Sequence, residues 1–431
     1  MNERLLDTST ISPDQLTGLA ISLGIGFLIG LEREFSKQVK EGEEQFAGVR
    51  TFSMVAMLGF LTAVLAAHFG EWLFGVALFC LFAFVIVSYF QISGGRGNKG
   101  GTSEIALIIT FVLGAVVFLK FILFALIVMV VMMLLLAFKP SLHWFASKLN
   151  RNELLAIILF VVMSALVIPF LPDDDFGPYR LWNLREIWKM VVLVSGTSLL
   201  GYMIAKILGN KGTLLAGIVG GLVSSTSVAL AFSRKSRETG SGASSFYYAM
   251  GIISACTIMF PRILFEVYVI NSQLARELWL PVTVISLAGF GAAFLIYRFK
   301  KVKTGKTDLP LKNPLDLGTA VKFALLYALI QWLVMYSGEQ FGDKGTYLAG
   351  AVSGITDVDA ITLSMAKMGT AQESSRLAIN TILIAAMSNT LVKFILVIAL
   401  GSTELRKIAF GGFAAIFLSG AGYLVYSFLA G

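Results

Sequence analysis

Charge is scarce in this chain. Only 14% of its 431 residues are Asp, Glu, Lys or Arg, against roughly 25% in a soluble domain. No long polar stretch is left that could build a separate soluble domain. Cysteine and histidine are scarcer still, with two of each. Cys80 and Cys256 lie inside apolar runs and read as small core residues, so no disulfide or metal framework is expected. His68 ends an apolar run. His143, beside Trp144, reads as a headgroup-level anchor. No nucleophile–base constellation and no phosphate loop appears, and GIVGG at 217–221 does not follow a strand. An enzyme is not expected, and no cofactor beyond an ion that would itself be the substrate. No basic stretch precedes the first apolar run near Leu16, so no cleavable signal is expected.

What fills the chain is apolar sequence. Hydrophobic residues make up 57% of it, and runs near 20 residues recur, long enough to cross a bilayer core of about 30 Å. Fourteen such segments extend from 15–31 to 407–429. Their unbroken character suits helices, because a barrel strand alternates over about ten residues. The expectation is an all-α polytopic membrane protein with about twelve spanning helices and two re-entrant or broken ones. Residues 141–150 read as a short interfacial helix, and Lys120 as a tight turn. The +8 net charge sits in short loops, which speaks for membrane orientation and not for nucleic acid. Membrane lipid and a small ion are the expected partners. Self-association into a homo-oligomer stays open.

One segment occurs twice. Residues 209–221 read GNKGTLLAGIVGG, and residues 342–354 read GDKGTYLAGAVSG. At an offset of 133, nine of thirteen positions are identical. The copies then diverge into LVSSTSVA and ITDVDAIT, so Ser224 is matched by Asp357 and Thr226 by Asp359. Carboxylates inside an apolar segment are costly and mark function by default. Repeat A covers about 185–300 and repeat B about 316–431.

The loops 33–50, 94–101, 139–151, 233–238 and 298–312 are basic. Placing all five in the cytoplasm puts the N-terminus outside and requires 212–232 to re-enter without crossing. Three spans and one broken helix per copy would invert the second copy, the recurring plan of secondary transporters. In the other reading all segments span, the copies are parallel, and the glycines merely allow close packing.

Asp357 and Asp359 are the leading ion-binding and metal-ligand candidates, with Ser224, Thr226 and Asn389 beside them. Asp357 and Ser224 also suit the N-cap of a following half-helix. Two half-helix N-termini favour an anion, whereas two carboxylates favour a cation or a proton. Carboxylate, hydroxyl and carbonyl oxygens together suit a hard cation such as Mg2+. Lys393, deep in 377–400, corresponds to Arg262 at an offset of 131. Glu266 lies four residues after Arg262, within reach on one helix face. Lys393 has no such neighbour, and Asp357 and Asp359 are its expected partners. Glu32, Arg33, Glu34 and Arg50 flank the first loop and can clamp neighbouring helices. Glu104 suits the first turn of a helix.

GFLIGLERE at 26–34 and FAGVRTFSMVAMLG at 46–59 resemble the signature of the MgtC/SapB membrane family. GTSEIALIITFVLGA at 101–115 resembles its fourth transmembrane segment. The resemblance divides the chain into an MgtC/SapB-like part, 1–150, and a duplicated part, 151–431, similar to the uncharacterised membrane domain often fused behind it. It implies a multi-pass protein of the cell inner (plasma) membrane with a link to magnesium homeostasis. The function expected is transport or conduction of a small ion. The alternatives are an anion transporter and a non-transporting regulator that binds another membrane protein.

Overall fold

The computed structural model describes residues 13–38, 47–93, 101–208, 213–239, 242–300, 315–369 and 372–429. Parts of three basic loops (39–46, 94–100, 301–312), Phe46 of the second family-like motif, and Gly209, Lys211 and Gly212 lie outside them, as does the side chain of His143. The chain separates into two compact units, residues 1–149 and 150–431.

The first unit carries α1 (Pro13–Gln38), α2 (Val49–Phe69), α3 (Trp72–Ser93), α4 (Thr102–Phe118), α5 (Ile122–Ala137) and α6 (Lys139–Lys148). Glycine lets α2 and α4 touch along their backbones. A Cβ on Gly59 would run into the Phe111 carbonyl, and one on Gly114 into the Ala56 carbonyl. Phe52, Phe111 and Leu107 are fully buried in the core of this unit. On α3, Phe79, Phe84 and Phe90 are exposed, as suits a helix set against lipid. Lys120 takes the turn between α4 and α5 with φ 68° and meets Asp14 at 2.7 Å. On α6 the ammonium of Lys148 lies over the Trp144 ring.

The second unit opens with α7 (Arg151–Val161), a π-helical turn (Val162–Val167) and α8 (Ile168–Phe170). Pro169 offers no N–H to a regular ladder there. Asn150 and Glu153 form a reciprocal capping box at the start. A small hairpin follows, β1 (Asp175–Phe176) antiparallel to β2 (Trp182–Asn183). Then come α9 (Leu184–Leu208), α10 (Thr213–Thr239), α11 (Gly242–Thr257), α12 (Met259–Ile270), α13 (Ser272–Lys300), α14 (Leu317–Thr356), α15 (Val358–Met368), α16 (Gln372–Leu400) and α17 (Thr403–Leu429). The fold is all-α and polytopic.

Among the described residues ten helices are long and apolar enough to cross a membrane, or eleven if α5 and α6 form one bent span, beside the twelve or so expected. The segments 103–119 and 121–138 become α4 and α5, of 17 and 16 residues. The apolar segments beginning at 317 and 345 run together in α14, which turns sharply at Gly342 with φ 60°. Neither α10 nor α15 is among the ten.

The duplication extends over whole elements. Leu184, where α9 starts, and Leu317, where α14 starts, are 133 apart. Ser272 and Thr403, where α13 and α17 start, are 131 apart. Three helix starts are capped alike in both copies. Asn183 accepts from Glu186 N and Asp316 from Thr319 N. Ser224 accepts from Ser227 N, and Asp357 from Asp359 N and Ala360 N. Asn271 accepts from Leu274 N and Ser402 from Leu405 N.

Candidate functional site

Two helix breaks build the site. In α10 the chain becomes extended at Ser224 (φ −165°, ψ 101°). Between α14 and α15 it does so at Asp357 (φ −155°, ψ 132°). Each break strands carbonyls on the half-helix before it and N–H groups on the half-helix after it. The N–H side is capped in place: Ser224 Oγ lies 3.2 Å from Ser227 N, and Asp357 Oδ1 lies 2.7 Å from Asp359 N. Asp357 is therefore a cap, and its carboxylate still has a second oxygen.

The half-helices before the breaks lie against the next helix of their own copy. A Cβ on Gly221 would sit 2.6 Å from Ala255 Cα, and one on Gly354 2.8 Å from Ala385 Cα. Only glycine permits this approach. It also brings polar groups to the stranded carbonyls. Asn389 donates to Gly354 O at 2.8 Å, while Ser388 bonds Ala351 O, one turn inside the half-helix, at 2.7 Å. In the other copy Arg262 Nη1 donates to Leu222 O at 3.3 Å.

Arg262 then crosses between copies. Its Nη2 pairs with Asp359 Oδ2, and its Nε lies 3.4 Å from Glu266 Oε1. Asp359 and Glu266 are both buried, where an ion needs its partner. Lys393 does not make the contact expected of it. It is 1% exposed, and its Nζ rests 3.1 Å from Met259 Sδ. Among the described residues no carboxylate lies within ion-pair distance of it. The expected partner, Asp359, is taken by Arg262, whose rigid fork holds a carboxylate and a carbonyl together.

Both breaks open into one cavity of about 330 Å3, room for roughly ten waters at about 30 Å3 each. Ser224 and Thr226 line it from one copy, Asp357, Asp359 and Asn389 from the other, and Arg262 lies between them. Two serines of α9, Ser195 and Ser198, and the start of α14 at Asp316 and Thr319 complete the wall. No group of three His, Cys, Asp or Glu side chains placed to hold a metal ion occurs among the described residues. An ion here would keep water between itself and part of the wall.

The other candidates stand elsewhere. Glu266 and Lys393 lie behind the wall and do not line it. Glu32, Arg50 and Glu104 belong to the first unit. Glu32 forms a two-bond pair with Arg33 at 2.6 and 2.8 Å. Glu34 accepts from Val49 N at 3.2 Å and so ties α1 to the start of α2. Arg50 is exposed and makes no ion pair among the described residues. Glu104 sits in the first turn of α4 with Oε2 buried and unpartnered.

Two features escaped the sequence reading. Asp316 lies just after the basic loop 298–312, and only the 133 offset from Asn183 signals it. Glu153 accepts from Tyr202 Oη at 2.7 Å and pairs with Lys206. Asn150 three residues earlier was its cue, as half of a capping box.

Known sequences fall into the same two parts. The MgtC family model matches residues 19–145. The model described as domain of unknown function DUF4010 matches residues 192–401. An uncharacterized protein of Aquifex aeolicus (strain VF5) is 34% identical over 200 residues, which is 46% of this chain and 86% of that protein. No solved structure matches the chain. The chain belongs to the multi-pass membrane family in which an MgtC domain is followed by DUF4010.

Proposed function

We propose that this protein moves a small ion across the membrane, as a transporter or channel, through the cavity where its two helix breaks meet. One observation carries the reading. Three carboxylates, a guanidinium and both broken half-helices share a single cavity large enough for several waters inside an otherwise apolar bundle. Membrane proteins retain such charges where ions or protons pass. Discontinuous helices at a repeat interface are where secondary transporters hold their cargo.

A cation is the favoured cargo. Asp316, Asp357 and Asp359 face the cavity against one guanidinium. Hydroxyls of Ser224 and Thr226 and the Asn389 amide add neutral polar contacts of the kind hard cations accept, directly or through water. Mg2+ fits this chemistry as substrate, and the MgtC/SapB resemblance points the same way. An arriving cation or proton would compete with Arg262 for Asp359, loosening the bond that joins the copies. Arg262 and the two half-helix N-termini also suit an anion, and this second reading shares the same cavity. The loop charges support an inner-membrane protein with the N-terminus outside and inverted copies.

The test is flux through purified protein in liposomes, screened over Mg2+, other divalent cations, protons and simple anions. Asp357→Asn and Asp359→Asn should insert and lose flux. Ser224→Ala and Thr226→Ala should weaken it less, since they remove a dipole and not a charge. If both Asn variants run at the wild-type rate, the carboxylate mechanism is wrong. If no ion moves at all, a regulator of another membrane protein is what remains.

A further inference from the structure

We propose that Asp316 is a third cation-binding carboxylate of this cavity, and that with Asp357 it matches the site to a divalent ion. The inference rests on the cation reading above and names the class of ion.

Asp316 starts α14 on an exposed stretch of chain, with its side chain on the cavity wall. Its neighbour Leu315 is buried with Met163, Val191 and Leu199, residues from the middle of the α7–α8 span and of α9. Asp316 thereby reaches the same wall as Ser195, Ser198 and Asp357.

The two copies supply an internal control for what its charge does. Asp316 Oδ2 caps α14 at 3.0 Å from Thr319 N. Asn183, at the same place in the other copy, caps α9 at 3.1 Å from Glu186 N with no charge. Ser224 likewise caps without charge where Asp357 stands. Capping does not require these carboxylates. All three acids of the cavity come from one copy, and their counterparts Asn183, Ser224 and Thr226 are neutral.

The charges can then be counted. Asp359 is compensated by Arg262. Asp316 and Asp357 have no cationic partner among the described residues, which leaves two formal negative charges on the wall. Each uses one oxygen as a cap, and the other has no hydrogen bond among the described residues. Asp359 Oδ1 adds an independent sign of a missing ligand. The residue is 5% exposed, and this oxygen is buried without a partner, a costly state unless an ion or its water supplies one. Six waters around a Mg2+ occupy roughly 180 Å3, which fits within about 330 Å3. The ion would not have to shed its waters, as Mg2+ resists doing.

The experiment measures Mg2+ binding by calorimetry on the purified full chain and Mg2+ uptake in liposomes, with Na+ as the monovalent comparison. Asp316→Asn keeps the cap, as Asn183 does, and should weaken Mg2+ binding about tenfold or more while changing Na+ much less, because attraction scales with the ion's charge. Asp316→Glu should recover most of the loss. Wild type that takes no divalent ion would sink the underlying cation reading. Wild type that takes Mg2+ and an Asp316→Asn equal to it overturns this proposal alone, as does a Glu variant no better than the Asn one. Asp316→Ser replaces Asp316→Asn if the latter does not insert. If neither neutral variant folds while Asp316→Glu does, the carboxylate is structural and the proposal falls.

Discussion

The two copies in the second unit share their joints and differ in their charge. Asn183 and Asp316, Ser224 and Asp357, Asn271 and Ser402 each start a helix with the same kind of side-chain bond. Gly221 and Gly354 bring equivalent half-helices onto the next helix. Yet the acids of the cavity come from one copy only, and the cation that meets them comes from the other. Arg262 reaches across to Asp359, while Lys393, its counterpart, rests on a methionine. The two copies agree where backbone hydrogen bonding demands it. Charge can differ between them because a capping oxygen can be borne by Asn, Ser or Asp alike.

The sharpest way to break this comparison is to remove each of the paired cations. Arg262→Ala leaves Asp359 and Glu266 buried without their partner and should cost about 3–5 kcal/mol. Lys393→Met keeps the volume and removes no ion pair, so it should cost less than about 1.5 kcal/mol. Denaturant unfolding in detergent would measure both. Equal losses would mean that Lys393 carries an ionic role the geometry does not give it. Asp359→Asn added to Arg262→Ala should return part of the loss, since one orphaned charge is gone.

A smaller effect tests whether the framework is truly common to both copies. Gly221→Ala and Gly354→Ala each drive a methyl into the backbone of a neighbouring helix. Both should lose about 1–3 kcal/mol. Gly411→Ala on α17, where a Cβ meets nothing within 4 Å, should be neutral or slightly stabilising by helix propensity. A large cost at Gly354 with none at Gly221 would show that the joints are equivalent in outline only.

The sequence made the joints legible and left the contacts between them hidden. Apolar runs near 20 residues announced the helices, since only helices satisfy so much backbone without water. Glycines followed by Ser224–Ser227 or Asp357–Asp359 announced the breaks. The number of long spans was less readable, because α4 and α5 are short and the turn at Gly342 hides inside α14. Arg262 and Lys393 were recognisable as equivalents. Which of them takes Asp359 depends on how one copy lies against the other, and a linear offset does not carry that. Asp316 was obscured by the basic loop before it.

The smallest expected effect concerns the caps, and it decides whether charge and framework are separable. Ser224→Ala and Asp357→Ala each remove the acceptor for the first N–H groups after a break. Each should cost about 1 kcal/mol, the usual worth of a cap. Asp357→Ser and Ser224→Asn exchange one capping group for another and should stay within roughly half a kcal/mol of wild type. Thermal unfolding in detergent without added ions reads this difference, because an empty site gives the carboxylate nothing to bind. Matched losses for the alanines and near-neutral exchanges would leave the Asp357 charge with no structural duty. That charge would then belong to the cavity alone. If Asp357→Ser costs as much as Asp357→Ala, the carboxylate is part of the joint itself. The charge difference between the copies would then be a structural adaptation, and the case for an ion in the cavity would rest on Asp316 and Asp359 without it.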